Sequence, residues 1–342
     1  MEPNSADRWH AMLTMLRAIA RFLDEKIGWN RIGVLLSVAI IAIAAIVLFQ
    51  MLRDIDVSEV VQAVRDTDKH DIAFAALFVA LGYFTLTFYD LFALRTIGRT
   101  DVPYRIAALA GFTSYSIGHN VGASIFSGGA VRYRIYSAWG LDGIAVAKIC
   151  FIAGLTFWLG NATVLGLGIS IEPQAVSSIT RLPAWLNRAL AMSVLCVLAI
   201  YVAWVWAQPR VVGRSGWQVT LPGGPLTLLQ IGIGIVDLCF CALAMYTLLP
   251  GEPNIGYVML AVIFVSSTLL GFASHAPGGL GVFDAAMFVA LWQFDKEDLL
   301  AGLLLFRLLY YVTPFGISLL ILGARELLIV FAGKSKPPKV SP

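Results

Sequence analysis

The chain has 342 residues, of which 59% are hydrophobic and only 13% are charged, whereas soluble domains contain roughly 45–50% apolar residues. This composition excludes a soluble globular protein, and the small net charge of +3 gives no indication of nucleic-acid binding. The four cysteines all lie in apolar stretches, where packing as small hydrophobic side chains is favoured over disulfide bonds or metal binding. They are Cys150, Cys196, Cys239 and Cys241.

The first part of the chain, residues 1–32, combines basic side chains with apolar ones at helical spacing. It has no continuous apolar core and no small-residue cleavage site, so it is not typical of a signal peptide. We predict an amphipathic helix on the cytoplasmic membrane surface. A transmembrane domain is then expected over 33–330, and a basic cytoplasmic tail over 331–342.

Six stretches are long and apolar enough to cross a hydrocarbon core of about 30 Å as helices. They are 33–52, 71–94, 143–169, 185–207, 225–249 and 299–322. The loops between them are short, which leaves no room for a separate soluble catalytic domain. The sequence therefore predicts an all-α polytopic membrane protein.

Two further apolar segments, 106–131 and 257–292, are interrupted by SYSIGHNVGAS and SHAPGGLG. We interpret them as re-entrant helical hairpins that enter the membrane from opposite sides. With that arrangement most of the 24 basic residues and both termini face the cytoplasm, as the positive-inside rule requires. If the second segment crossed fully, the lysine-rich end of the chain would face outward.

The two halves of the chain share an order of features that is typical of an inverted repeat. Each has a small-residue segment, a glycine pair, a short helix, an acidic joint and a long span. The glycine pairs are Gly128-Gly129 and Gly278-Gly279. Irregular backbone at membrane depth is tolerated only inside protein or beside a watery cavity, so we expect a substrate site where the broken helices meet.

Arg132 and Arg134 follow the first glycine pair in SGGAVRYRIY. Glycines that expose amides at a helix start, with an arginine one turn later, are suited to binding a phosphate such as a lipid headgroup. The alternative is that both arginines are ordinary positive-inside residues with snorkelling side chains. Their spacing puts them on different helix faces, so only one of them is expected to face a cavity.

Arg307 lies deep inside the last span, where an unpaired charge costs at least ~2.5 kcal/mol. It needs an acidic partner, and the sequence offers Asp237, which is also inside a span, and Asp284 in the second hairpin. Such a pair can be purely structural, fixing helix register. We favour a pair that opens to admit a phosphate.

Pro314 removes an amide four residues after Tyr310, so the last span is expected to kink near its middle. The hydroxyl groups of Tyr310 and Tyr311 are then expected to bind either a lipid headgroup or the kinked backbone. At the hairpin tips, His119, Asn120 and His275 are expected to cap broken helices. Asp90 is expected either to pair with Arg95 or to reach the interface.

The sequence gives little support to an intramembrane enzyme. There is no HExxH metal helix and no cluster of ligands with metal-binding spacing, so no metal or other cofactor is expected. Ser127 with a histidine from the other hairpin imitates a hydrolase dyad, but the GxSxG elbow is missing. No nucleotide-binding P-loop pattern is present, so any transport would be passive or ion-coupled.

Three stretches, SGGAVRYRIYSAWGL, APGGLGVFDAAMF and FRLLYYVTPF, resemble in order the membrane region of the bacterial multiple peptide resistance factor, a lysyl-phosphatidylglycerol synthase and flippase. Standalone flippase-like proteins are similar as well. The resemblance covers about residues 35 to 330. By motif it carries over the following residues: Arg132, Arg134, Gly278, Gly279, Asp284, Arg307, Tyr310 and Tyr311.

The resemblance implies a multi-pass bacterial inner-membrane protein that moves aminoacylated phosphatidylglycerol from the inner to the outer leaflet and so confers resistance to antimicrobial peptides. Two-part members continue into a soluble acyltransferase-like domain, whereas this sequence ends at Pro342, so synthesis is not expected to be its own activity. The alternatives are a membrane anchor or regulatory subunit for a separate lipid synthase, and a transporter of a polyprenyl or glycolipid carrier. The expected partners are an anionic or aminoacylated phospholipid, a separate synthase and a second copy of the chain.

The residues expected to bind and translocate lipid are Ser127, Gly128, Gly129, Arg132, Arg134, Asp237, Gly278, Gly279, Asp284, Arg307, Tyr310 and Tyr311, with His119, Asn120 and His275 in a second tier.

Overall fold

The computed structural model describes residues 62, 65, 67–122, 124–208, 210–214, 217–273, 277–294 and 296–334. These residues all belong to one compact unit that extends over 44–342. The surface helix predicted at 1–32, the span predicted at 33–52, His275 and the tail beyond 334 lie outside the described residues.

Helices make up most of the described chain. In order they are α1 (Lys69–Thr96), α2 (Tyr104–Val121), α3 (Ser124–Tyr136), α4 (Gly143–Ile171), α5 (Ser177–Thr180), α6 (Ala184–Ala207), α7 (Gly224–Thr247), α8 (Tyr257–Ala273), α9 (Val282–Ala290), α10 (Lys296–Arg307) and α11 (Thr313–Lys334). Tight helical turns lie at Ser137–Trp139 and Pro277–Gly279, and a wider π-helical turn, Leu308–Val312, joins α10 to α11. Strands β1 (Val211–Arg214) and β2 (Trp217–Thr220) form an antiparallel hairpin between α6 and α7, which the sequence pattern does not predict.

Within the described residues, five helical stretches are long and apolar enough to cross a membrane. They are Lys69–Thr96, Gly143–Ile171, Ala184–Ala207, Gly224–Thr247 and Asp298–Leu328. Each coincides with one of the predicted spans. The fold class predicted from the sequence, an all-α polytopic membrane protein, is therefore confirmed.

The first broken segment is a helical hairpin. Helices α2 and α3 pack against each other, and the chain turns between them at Gly122, which has a φ of 79°. Arg99, just before α2, donates a hydrogen bond from Nη2 to the carbonyl of Trp139, just after α3, at 2.7 Å. The hairpin therefore begins and ends on the same side of the molecule, as a re-entrant segment must.

The same arginine also orders the loop that leads into α2. Its Nε and Nη2 atoms each donate to one carboxylate oxygen of Asp101 at 2.8 Å. This hydrogen-bonded guanidinium holds the pKa of the Asp101 carboxyl below its ordinary value. The pair is exposed, so it shapes the loop more than it stabilises the fold.

The second broken segment is also a hairpin, in which α8 packs against α9. The turn between them contains Gly278 and Gly279, whose φ angles of 60° and 63° favour glycine. At the other end, Gly302 of α10 approaches the Leu248 carbonyl so closely that a Cβ atom would stand 2.7 Å from the oxygen. Because Leu248 precedes the hairpin and Gly302 follows it, this segment too returns to the side from which it enters.

The first hairpin contacts the turn of the second hairpin. Helix α2 contacts the turn at Pro277–Gly279, and both α1 and α2 contact the π-helical turn at Leu308–Val312. Gly278, Tyr310 and Tyr311 are buried at these contacts, where lipid cannot reach their backbone polar groups. The two hairpins therefore contact each other and the π-helical turn, while a substrate site between them and the inverted-repeat relation between the halves stay predictions.

The predicted irregularity at Pro314 takes the form of the π-helical turn. The Thr313 amide donates to the Leu308 carbonyl, five residues back, and Pro314 has no amide to offer Tyr310. Side chains from other helices replace the missing donors. The Tyr83 hydroxyl donates to the Tyr310 carbonyl at 3.0 Å, and Asn120 Nδ2 donates to the Tyr311 carbonyl at 3.2 Å.

Helices α4 and α7 touch through their backbones. A Cβ atom on Gly160 would lie 2.7 Å from the Cα of Gly234, which only two glycines can accommodate. Next to this contact, Gln230 Nε2 donates to Thr156 Oγ1 at 2.8 Å and to the Ile152 carbonyl at 3.1 Å. Helix α6 packs on the outside of this pair and leaves most of its surface exposed.

Tyr83→Phe should lower the thermal stability of the purified protein, because the buried Tyr310 carbonyl then loses its donor, at a cost of about 1–3 kcal/mol. Pro314→Ala restores an amide at that position, so the effect of Tyr83→Phe should shrink in the Pro314→Ala background. The measurement is thermal unfolding in detergent of both single variants and the double variant.

Tyr201→Phe is the matched control, because the buried Tyr201 hydroxyl has no hydrogen-bond partner within the described part of the chain. An equal loss for Tyr83→Phe with and without Pro314 would contradict this account of the turn.

Candidate functional site

The first of two buried ion pairs joins α3 to α1. Arg132 donates from Nε to both carboxylate oxygens of Asp90 at 3.0 Å, and from Nη2 to Oδ1 at 2.7 Å. The Tyr136 hydroxyl donates to Asp90 Oδ2 at 2.7 Å. Arg132 is 5% exposed and Asp90 is fully buried, so this is a closed charge pair.

The spacing of residues on α3 explains why the pair forms. Arg132 and Tyr136 are four residues apart and therefore lie on one helix face, which is turned toward Asp90. Gly128, one turn before Arg132, lets α3 approach α2, since a Cβ there would stand 3.0 Å from the Ser114 carbonyl. The ring of Tyr115 covers the guanidinium, with Arg132 Cζ 4.7 Å from the ring centroid.

Two predictions about this region are wrong. Gly128 and Gly129 lie inside α3, which is already helical from Ser124, so they do not expose amides at a helix start. Asp90 pairs with Arg132 and not with Arg95. Residues five apart on a helix face different directions, and Arg95 instead donates to the Thr100 carbonyl at 2.7 Å.

The second buried ion pair joins α10 to α9 and settles which acid partners Arg307. Arg307 donates from Nε to Asp284 Oδ1 at 3.0 Å and from Nη2 to Oδ2 at 2.6 Å. Its Nη1 atom donates to the Gly278 carbonyl at 3.2 Å. The amide of Gly281, which precedes α9, donates to Asp284 Oδ2 at 3.0 Å, so the same carboxylate also caps the short helix.

The two pairs differ in exposure and in the placement of their charges. Arg307 is 3% exposed, but the side chain of its partner Asp284 is 24% exposed, so the second pair is more accessible than the first. In the first hairpin the short helix carries the arginine, and in the second it carries the aspartate. Each pair therefore ties the short helix of a hairpin to a neighbouring long helix, with the charges exchanged.

Asp237 does not pair with Arg307, which was one of the two predicted possibilities. It lies on α7, is 4% exposed, and accepts a hydrogen bond from the Tyr89 hydroxyl at 3.0 Å. The thiol of Cys241, one turn further on, lies 3.9 Å from its Oδ1. Asp237 forms no ion pair with any residue that the structure describes.

Aromatic contacts connect Asp237 to the first ion pair. Tyr89 packs edge-to-face on Tyr115 with 5.6 Å between ring centroids, and Tyr115 covers Arg132. Tyr89 and Asp90 are also neighbours on α1, so one helix turn holds the donor to Asp237 and the partner of Arg132. A movement of α1 changes both environments together.

Arg134 faces away from the first ion pair, as its spacing from Arg132 predicts. Its Nη2 atom donates to Glu326 Oε2 on α11 at 2.7 Å. Ser127 donates from Oγ to the carbonyl of Gly122, at the turn of the hairpin, at 3.0 Å.

The remaining predicted residues gather around the π-helical turn. The ring of His119 lies between those of Tyr115 and Tyr310, with centroid distances of 5.8 and 6.2 Å. Asn120 supports the turn through its bond to Tyr311, so it acts across helices in addition to bonding its own helix at Ser116. Tyr310 and Tyr311 are both buried against Phe306.

The partners Asp90, Tyr89, Tyr115 and Tyr136 were not among the residues predicted for the site. Asp90 had a readable signal, because a carboxylate inside a predicted span needs a cation, and Arg132 was the other charge at similar depth. The tyrosines had no signal of their own, because tyrosines at such positions are commonly interface or core residues.

Comparison with known proteins places the chain in a family. The uncharacterized protein slr0712 of Synechocystis sp. is 31% identical over 263 residues, which cover 76% of this chain and 81% of that protein. The inner membrane protein YbhN of Escherichia coli is 29% identical over 284 residues, 81% of this chain and 87% of YbhN. The chain belongs to the family of these membrane proteins. No family model matches it.

The chain is also similar to part of a larger protein. Phosphatidylglycerol lysyltransferase of Staphylococcus haemolyticus is 24% identical over 247 residues, which cover 69% of this chain but only 27% of the enzyme. The similarity is confined to the membrane portion of that protein. The resemblance found in the sequence is therefore confirmed at the level of the family.

Asp90→Asn and Arg132→Gln should each destabilise the protein by about 3–5 kcal/mol, because each leaves one buried charge without its partner. The double variant should lose clearly less than the sum of the two, since no unpaired charge remains. The measurement is a double-mutant cycle of thermal or denaturant stability in detergent.

The exposed pair Arg99 and Asp101 provides the control cycle, in which Arg99→Gln and Asp101→Asn should act almost additively and weakly. Additive losses in the Asp90 and Arg132 cycle would mean that the buried pair is not coupled as described.

Proposed function

We propose that the protein transports a phospholipid across the membrane by passing its phosphate headgroup between the two buried arginines. The observation that supports this most directly is that the short helix of each re-entrant hairpin takes part in a bidentate arginine–aspartate pair whose guanidinium is buried. An arginine that only anchored a helix at the interface would not need to be buried.

A lipid phosphate can replace the aspartate on each arginine. A guanidinium binds phosphate and carboxylate with the same two-pronged geometry, so the exchange keeps both of its hydrogen bonds. A phosphate that leaves water needs compensating positive charge, and Arg132 and Arg307 supply it in turn. Opening either pair without a phosphate would leave a buried charge uncompensated, which discourages movement of the empty protein.

The short helix of the first hairpin carries the arginine, whereas the short helix of the second carries the aspartate. We take this difference to favour two sites that open in turn over a path that is permanently open. In this proposal the headgroup enters at the hairpin that holds Arg132, passes the region near Asp237 and leaves past Arg307. The more exposed Asp284 marks the second pair as the one closer to release in this conformation. Rearrangement of the two hairpins where they contact each other then closes the phosphate site at one arginine and opens the site at the other.

For the substrate we propose aminoacylated phosphatidylglycerol, because the chain is similar to the membrane portion of a protein named phosphatidylglycerol lysyltransferase. The direction would be from the inner to the outer leaflet of a bacterial inner membrane, with both termini in the cytoplasm. Export of a cationic lipid would lower the negative surface charge and weaken the binding of cationic peptides. On this proposal the chain is a transporter and not an enzyme.

The experiment is leaflet exposure in proteoliposomes. Lysyl-phosphatidylglycerol or plain phosphatidylglycerol is placed in one leaflet, and its appearance in the other is timed for wild type, Arg307→Ala and protein-free vesicles. Arg307→Ala should abolish protein-dependent movement. It should remain folded, because the partly exposed Asp284 can be hydrated when its partner is removed.

Arg105→Ala is the matched control, because Arg105 is an exposed arginine in the first turn of α2 and should leave movement unchanged. Full activity of Arg307→Ala would remove the mechanism, and equal movement of both lipids would replace the aminoacyl substrate with a broader one. No movement by folded wild-type protein would refute transport of these lipids and favour a regulatory subunit that co-purifies with a lipid synthase.

A further inference from the structure

Asp237 is the buried acid that the two ion pairs do not use. It lies thirteen residues after the start of α7 at Gly224 and ten before its end at Thr247. With a rise of about 1.5 Å per residue, it is about 20 Å from one helix end and about 15 Å from the other. A side chain at that depth, 4% exposed, is out of reach of water at either membrane surface.

The surroundings of Asp237 supply hydrogen bonds but no compensating charge. The titratable groups that interact with it are Tyr83 and Tyr89 on α1, Tyr115 on α2, Cys241 on α7 and Tyr310 in the π-helical turn. The described parts of α4, α6, α8 and α10 add no charged group that faces it; Arg307 on α10 is engaged by Asp284. Towards the Arg132–Asp90 pair, Tyr89 packs on Tyr115, and Tyr115 covers the Arg132 guanidinium.

Helix packing seals this site on the side of α1. Gly82 faces Asp237, and a Cβ atom added there would be 3.6 Å from Cys241 Sγ and 3.9 Å from Asp237 Oδ1. The two helices can therefore close over the carboxyl group. An ionised carboxylate in such a position, with one hydroxyl donor and one weak thiol donor, is expensive, whereas the neutral acid is not.

A metal cation is a poorer occupant than a proton. Hard cations take about six oxygen ligands, and the described neighbours of Asp237 offer mainly one tyrosine hydroxyl and a sulfur atom. No group of three or more histidine, cysteine, aspartate or glutamate side chains suited to a metal is found among the described residues. Proton binding requires only the carboxyl group itself.

We propose that Asp237 is a proton-binding site that couples lipid movement to the transmembrane proton gradient. The coupling runs through α1, where Tyr89 bonds Asp237 and the next residue, Asp90, holds Arg132. When the hairpins rearrange and admit water, Asp237 releases its proton to that water. The charged carboxylate then holds the Tyr89 hydroxyl, which already donates to it at 3.0 Å, more strongly, and this shifts the helix turn that closes the Arg132 pair. This inference rests on the proposed lipid transport.

The test uses proteoliposomes of the full chain with lysyl-phosphatidylglycerol, with and without a pH difference across the membrane. With one proton per lipid, a difference of one pH unit can sustain up to about tenfold enrichment of the lipid in one leaflet. Wild type and Asp237→Glu should show this enrichment. Asp237→Asn, which cannot release a proton, should lose it.

Asp71→Asn is the charge-matched control, because Asp71 is an exposed acid in the first turn of α1, and it should keep the enrichment. A second readout does not depend on transport: the infrared carbonyl band of a protonated carboxylic acid should be present in wild type and lost in Asp237→Asn. Together the two readouts decide the matter even if Asp237→Asn moves no lipid.

Lipid movement by wild type that ignores the pH difference would overturn the coupling while leaving transport intact. Enrichment retained by Asp237→Asn, or no loss of the infrared band in that variant, would overturn the assignment to Asp237. No movement of lipid by folded wild-type protein would instead refute the proposed function, and the coupling would be refuted with it.

Discussion

A guanidinium inside a membrane protein needs an anion to compensate its charge, and the Arg132–Asp90 pair is the interaction on which the first hairpin depends. Helix α3 can return into the protein interior because Asp90 and Tyr115 accept its charge, and because Gly128 removes the side chain that would keep α3 away from α2. Without this pair the hairpin would carry an uncompensated charge into an apolar interior.

The second hairpin obeys the same constraint with the charges exchanged. Asp284 on α9 serves Arg307 and also accepts the Gly281 amide at the start of its own helix, so one carboxylate satisfies both a cation and an exposed helix end. Between the hairpins, Tyr83 and Asn120 donate hydrogen bonds from other helices to two backbone carbonyls of the π-helical turn. The π-helical turn is therefore bonded to both α1 and α2.

The long apolar spans, the two broken segments and the need of Arg307 for a partner were all predictable, because each rests on the cost of polar groups in lipid. The choice of Asp284 over Asp237 was not, since both acids lie deep and only the packing of α9 on α10 separates them. The sequence pattern also could not show that Gly128 lies inside α3 and not at its start. A glycine that opens a helix and a glycine that permits a close helix contact look the same in one sequence.

The contact between Gly160 and Gly234 limits which parts of the molecule can move. Two helices that touch through bare backbone have no side chains between them that could change rotamer, so their crossing cannot adjust in small steps. Helices α4 and α7 are therefore expected to keep a fixed crossing, which the hydrogen bonds of Gln230 to α4 stabilise further. We expect any opening of the interior to be carried by the hairpins and the π-helical turn, where the hydrogen bonds of Arg132, Arg307 and Tyr83 would have to change.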